Sequence, residues 1–267
     1  MSAKFSAYIG IDYSGAATPM SRSATIQVYE GFGNSDPGVV LSPASATNKH
    51  RNWNRFEVAD WLTERLSRDD RCVVGIDHGF SFPVSYFERN KIKSWAEFLD
   101  DFLQQWPTHE ARATVEQFRE NSQRVGDPSE LRMTEKWTSS AKSVFRFDVQ
   151  GSVAKSTHAG LPFLKQLRDQ VPNIHFWPFD GWDLPTANSV VAETYPSLFR
   201  NRYARESRTV DQQDAYAICC WLRDMDALGC LSDFASPPLT ESQQQVGGLD
   251  FRGVLVTNLL PKLKCWT

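Results

Sequence analysis

At 267 residues, 41% of them hydrophobic, the chain is long enough for one large domain or two small ones around a sizeable core. Its formal net charge of −3 excludes a protein that grips duplex nucleic acid by bulk basicity, since such domains usually have a pI above roughly 9. Any contact with a polyanion must then be local, brief or metal-mediated.

Residues 5–12, FSAYIGID, form an apolar run that predicts a strand ending in Asp12, followed by the small-residue turn Ser14-Gly15-Ala16. SATIQVY at 23–29 and the weaker GVVLS at 38–42 predict a second and third strand, separated by Gly, Asn, Asp and Pro as in a hairpin or meander. Residues 54–68 switch to helical spacing, with Phe56, Ala59, Leu62 and Leu66 on one face. CVVGID at 72–77 predicts a fourth strand, again ending in an aspartate. Residues 94–124 read as amphipathic helix with Trp95, Phe98, Phe102 and Leu103 together. The stretch 125–150 is irregular and basic, carrying Arg132, Lys136, Lys142 and Arg146 against Glu135 and Asp148.

A helix follows at 157–169. NIHFWPF at 173–179 and SVVAETY at 189–195 are strand-like, and VDQQDAYAICCWLRDMDAL at 210–228 is a closing helix. The tail from about 240 carries no clear pattern. An antiparallel opening followed by alternating strands and helices predicts an α/β domain: a mixed sheet of five or more strands with helices on both faces. Residues 84–150 form a helical or irregular insertion after the fourth strand, and residues 1–267 form a single domain.

Five cysteines, Cys72, Cys219, Cys220, Cys230 and Cys265, are odd in number and form no CxxC pair. That disfavours a zinc site or a disulfide framework and fits a reducing cytoplasm. Cys219 and Cys220 lie in an apolar helical run and read as core. The opening MSAKFSAYIG has no long apolar region, so no signal peptide is expected. No run of about 18 apolar residues predicts a membrane span. Nine Trp and seventeen Phe are many for this length, and several belong on a surface or in a groove. Trp95 and Trp106, at helical spacing, read as core. Trp137, in the basic stretch, reads as a candidate for stacking a nucleobase.

Asp12 and Asp77 each end an apolar strand, and ligands of open α/β sheets gather beyond the carboxyl ends of strands. Glu193 has a similar setting after Val190, Val191 and Ala192. Asp211 and Asp214, three residues apart, share a face of the closing helix. Each has a plainer reading: a turn-forming aspartate, a helix cap at Asp211, a structural hydrogen bond at Glu193. Converging carboxylates repel one another, and a divalent cation relieves the repulsion. All-oxygen ligands favour Mg²⁺ or Mn²⁺ over zinc. Asp12, Asp77, Glu193 and Asp214 are the candidate catalytic residues, and Asp12, Asp77, Asp211 and Asp214 the candidate metal ligands.

GSVAKST at 151–157 resembles a phosphate-binding loop but fails on Val149 and Ala154, where glycines belong. Lys155, with Ser156 and Thr157, still opens a helix, and helix N-termini bind phosphate. Lys155, Lys142, Ser14 and Trp137 are therefore the candidate substrate-binding residues. GFSFP at 79–83 lacks the last glycine of a nucleophile elbow. His78 reads as a turn residue, with proton carrier as the alternative.

The blocks IGIDYSGA (9–16), VVGIDHGFSFP (73–83), VVAETYPSLF (190–199) and DQQDAYAICCWL (211–222) together resemble the domain-of-unknown-function 429 family. GSVAKSTHAGLPFLKQLR followed by HFWPFDG resembles its middle region. The resemblance implies a ribonuclease H-like fold and a predicted nuclease. More distantly the blocks are similar to Holliday-junction resolvases. That likeness implies metal ligation by Asp12, Asp77, Asp211 and Asp214, with Glu193 matching a strand-end glutamate. The function expected is divalent-metal-dependent hydrolysis of phosphodiesters in nucleic acid, with Lys155 or Lys142 steadying the developing charge. Two other classes stay open. An actin-like small-molecule phosphotransferase would need a second phosphate motif, for which GGLDFRG at 247–253 is the only candidate. A non-catalytic binding protein would keep the carboxylates as a vestige.

Overall fold

The computed structural model describes residues 4–46, 52–122, 124, 126–137, 141–149, 153–236 and 239–240. GGLDFRG and Cys265 lie outside them. Six strands form one mixed sheet: β1 (Ala7–Asp12), β2 (Gln27–Phe32), β3 (Gly38–Val39), β4 (Cys72–Asp77), β5 (Ile174–Trp177) and β6 (Ser189–Glu193). Their order is β3-β2-β1-β4-β6-β5. β2 runs antiparallel to β1 and β3, whereas β1, β4, β6 and β5 are mutually parallel. β1 and β4 are buried along almost their whole length, as expected of unbroken apolar runs at the centre of a sheet covered on both faces.

One face carries α1 (Arg55–Leu66), α3 (Trp95–Gln105) and α6 (Val153–Gln170), packed on Ala7, Ile9, Ile11, Val74 and Ile76. α1 starts at a capping box between Asn54 and Glu57. It buries Val58 rather than Phe56, whose ring instead meets Phe163 of α6 edge-on at 5.4 Å. The other face carries α7 (Val210–Ala227), packed on Tyr8, Val73, Val190 and Ala192. Cys219 and Cys220 are buried there, as expected. No helix among the described residues is long and apolar enough to cross a membrane.

The insertion supplies α2 (Val84–Asn90), α3, α4 (Val115–Asn121) and α5 (Met133–Trp137). The helical pattern at 94–124 is broken because Pro107 disfavours helical geometry at Trp106, which adopts φ −132° and ψ 67°. The chain restarts as helix at a Thr114–Gln117 capping box. Trp95 and Trp106 are core residues, as predicted, and Leu99 takes the buried place predicted for Leu103. α6 starts four residues earlier than predicted. It tolerates Pro162 because the buried carbonyl of His158, which the proline cannot serve, accepts a hydrogen bond from Thr108 Oγ1 at 2.6 Å.

Two glycines set the depth of α7. Gly10 and Gly75 are register partners on β1 and β4. A Cβ on Gly10 would fall 2.1 Å from the Ala215 carbonyl oxygen, and one on Gly75 2.5 Å from Ile218 Cγ2. The helix therefore rests on strand backbone. The obstacle at Gly10 is helix backbone, which cannot swing aside. Gly10→Ala should cost about 1–3 kcal/mol, seen as a Tm lower by about 3–10 °C. An unchanged melting curve would show that α7 is not seated this tightly.

Candidate functional site

Asp12 and Asp77 are register partners at the ends of β1 and β4. Their backbones are thus about 4.8 Å apart. Both alternate onto the Gly10–Gly75 face, where α7 runs antiparallel to β1: Cys219 Sγ reaches the Tyr8 carbonyl, and Ala215 lies over Gly10. The next turn brings Asp211 and Asp214 over the strand ends. All four aspartates line one cavity of about 560 Å³, together with Ser14, Lys142 and Lys155.

The loop after Asp12 is held from both sides. Buried Arg55 donates to the carbonyls of Ser14, Ala16 and Ala17 at 2.9–3.2 Å. Gly15 lies directly on the first turn of α6, so that a Cβ there would sit 2.1 Å from the Lys155 carbonyl oxygen. Only a glycine lets this loop and the α6 N-terminus share a wall. Lys155 is ion-paired with Glu116 of α4, and Lys142 is exposed.

Burial drives the Asp12 carboxyl well above its ordinary pKa, and the charges of Asp77, Asp214 and Asp211 push it further the same way. Asp214 is raised by burial too, against the opposing pull of Arg200, whose Nη1 lies 2.9 Å from Asp214 Oδ2. Arg200 lines the cavity, and sequence reading passes over it. The signal was the density of arginine at positions 200, 202, 205 and 208, just before the closing helix.

Glu193 has a different place from the one expected. It is completely buried, and Arg132 donates to both its oxygens at 2.9 and 3.0 Å, while the Phe80 amide donates at 2.9 Å. Arg132 also binds Glu135 and the Ser81 carbonyl. Glu193 is thus the anchor of a buried ion triad, not a wall of the cavity, and the 125–150 stretch is not simply a solvated basic loop. Trp137 ends α5, 44% exposed, and is not among the residues lining the cavity. His78 is buried against Tyr13, Phe80 and Gly160, and burial takes its imidazole down to about 4, so it is neutral. That suits the turn reading.

Among the described residues no three carboxylate, imidazole or thiol side chains are gathered closely enough to grip an ion as they stand. Comparison with protein-family models, curated proteins and solved structures finds no match.

Two substitutions separate the roles of these carboxylates. Because Asp12 binds its proton more tightly folded than unfolded, its ionisation costs stability, beginning near the unfolded pKa of about 4 and growing as pH rises through the raised value. Without divalent ions, Asp12→Asn should melt higher than wild type near neutral pH, the gap closing as pH falls toward about 4. A wild type more stable at every pH would show that the cluster is not repulsive. Glu193→Ala leaves Arg132 paired with Glu135 but takes buried hydrogen-bond acceptors from Arg132 and the Phe80 amide, and should cost about 2–4 kcal/mol at any metal concentration. A loss below about 1 kcal/mol in chemical denaturation would remove the structural role assigned to Glu193.

Proposed function

We propose that the chain is a ribonuclease H-like, divalent-metal-dependent phosphodiesterase acting on nucleic acid. The observation that carries this reading is the in-register pair Asp12–Asp77, joined across one cavity by Asp211 and Asp214. The strand order supports it, with an antiparallel opening hairpin beside three further parallel strands. So do Lys142 and Lys155, which line the same cavity as the carboxylates.

The donor set suits a hard cation. It is all oxygen, and buried Asp12 meets no cationic side chain in an ion pair among the described residues. Asp12, Asp77, Asp211 and Asp214 would hold Mg²⁺ or Mn²⁺. Such an ion polarises a phosphoryl oxygen and lowers the pKa of bound water. The protein's own groups then divide the work. Asp12, rigid on β1, would accept a proton from the attacking water. Lys155 and Lys142 hold the non-bridging oxygens as charge develops. The small side chains of Ser14 and Ala16 leave room for the phosphate beside them.

One observation favours a second reading, a non-catalytic phosphate-binding protein: Arg200 already neutralises Asp214. Metal binding and turnover separate the two. Mn²⁺ at about 100 times its Kd should stabilise wild type by about 2.7 kcal/mol, and Asp12→Asn far less. Labelled junction, single-stranded DNA and RNA should include a substrate cut with Mn²⁺ and spared in chelator. Asp77→Asn should lower that rate by about 10²-fold or more. If Mn²⁺ stabilises Asp12→Asn as much as wild type, the metal reading is wrong.

A further inference from the structure

The segment between β6 and α7 reads FRNRYARESRT from 199 to 209. Despite its charge it is firmly held. Gln213 of α7, buried, donates Nε2 to the carbonyls of Arg200 and Tyr203 at 3.1 and 2.7 Å. Arg208 donates Nε to Gln213 Oε1 at 2.9 Å, and its guanidinium lies 3.7 Å from the centre of the Tyr216 ring. Tyr203 donates its hydroxyl to Asp224 at 3.0 Å. Arg208 is thus spent on fastening the segment to the helix.

Arg205 is not. It is exposed, and its Nε donates to the Arg208 carbonyl at 2.8 Å, which fixes the stem. Its terminal nitrogens meet no hydrogen-bond acceptor among the described residues. Arg205 lines a second cavity of about 370 Å³ with Arg200, Asn201, Tyr203 and Val210. Arg200 and Val210 line both this cavity and the carboxylate cavity, so the two adjoin. An exposed guanidinium held at its Nε is suited to bidentate contact with phosphate through its terminal nitrogens. The acidic cavity takes one phosphate only with help from a cation, whereas the arginine cavity can take another directly.

We propose that the Arg200–Arg205 cavity is a subsite for the phosphate of the adjoining nucleotide, making the substrate a polynucleotide strand rather than a mononucleotide. This rests on the phosphodiesterase reading above for what happens next door. The segment's own binding chemistry does not require it.

Fluorescence anisotropy with a labelled single strand of about ten nucleotides, in Ca²⁺ across a salt series, tests the subsite. The Ca²⁺-dependent part of nucleoside monophosphate binding reports the acidic cavity alone, because that cavity takes phosphate only with a cation. Arg205→Ala should weaken strand binding about tenfold and flatten the log–log salt slope by about 0.7. It should leave the Ca²⁺-dependent part of monophosphate binding within about twofold, and Arg205→Lys should restore the slope. Melting curves of the exposed-site variants should match wild type. Equal weakening of strand and monophosphate, or of neither, overturns the subsite. If neither changes while Mn²⁺ still shifts the melting of wild type and not of Asp12→Asn, the subsite is wrong and the metal reading stands. If Arg205 governs strand binding but Mn²⁺ does not bind, the subsite stands and the metal reading falls.

Discussion

The contact on which this architecture depends is the seat of α7 on bare strand backbone at Gly10 and Gly75. Helices normally rest about 10 Å from a sheet because side chains on both surfaces intervene. Here two register-paired glycines remove the sheet's share. The helix drops toward β1 and β4, and its first turns arrive level with the strand ends. Two aspartates from sequence-distant elements then meet two from α7 around one cavity, with Asp12 and Asp214 buried in its wall. The raised proton affinity of Asp12 is the direct electrostatic result. Any side chain at Gly10 lifts the helix and loosens the cluster, so packing and chemistry are here one constraint.

A second constraint holds the far wall. The Arg132–Glu193–Glu135 triad is fully buried and joins the insertion to the end of β6. Buried ion groups of this kind are costly to desolvate and contribute little net stability. What they confer is position: Arg132 satisfies Ser81 and two carboxylates at once, which few other arrangements of the insertion would allow.

Much of this was legible in the sequence. The strands ending in Asp12 and Asp77, the closing helix and its paired aspartates all announce themselves through apolar runs and three-residue spacing, which are local signals. What was not legible depends on partners far along the chain. Glu193 looks like Asp12 and Asp77 by its setting, since all three end buried strands. Only Arg132, 61 residues away, distinguishes it. Arg200 was missed because its role comes from Asp214 on the next element, and arginine-rich connections read locally as solvated loop. The one amphipathic stretch at 94–124 broke at Pro107, a local signal outweighed in reading by the strong apolar face around it.

The molecule carries no excess of positive charge, yet three cations line its cavity beside the four aspartates. A net charge of −3 gives no long-range attraction for a polyanion. Attraction confined to a groove needs only a few cations, provided they are rigid and closely set. Lys142 and Lys155 line one side of the carboxylate cavity, and Arg200 borders its junction with the next. Two of the three are anchored on an element that also positions an aspartate or its loop: Lys155 on the turn beneath Gly15, Arg200 through Gln213 of α7. A strand crossing the carboxylates would therefore meet positive charge on entering and on leaving. Between those points lies an acidic floor that repels it unless a cation intervenes. Productive binding would then be conditional on the ion, and the modest overall charge would keep the protein from holding nucleic acid indiscriminately when no ion is bound.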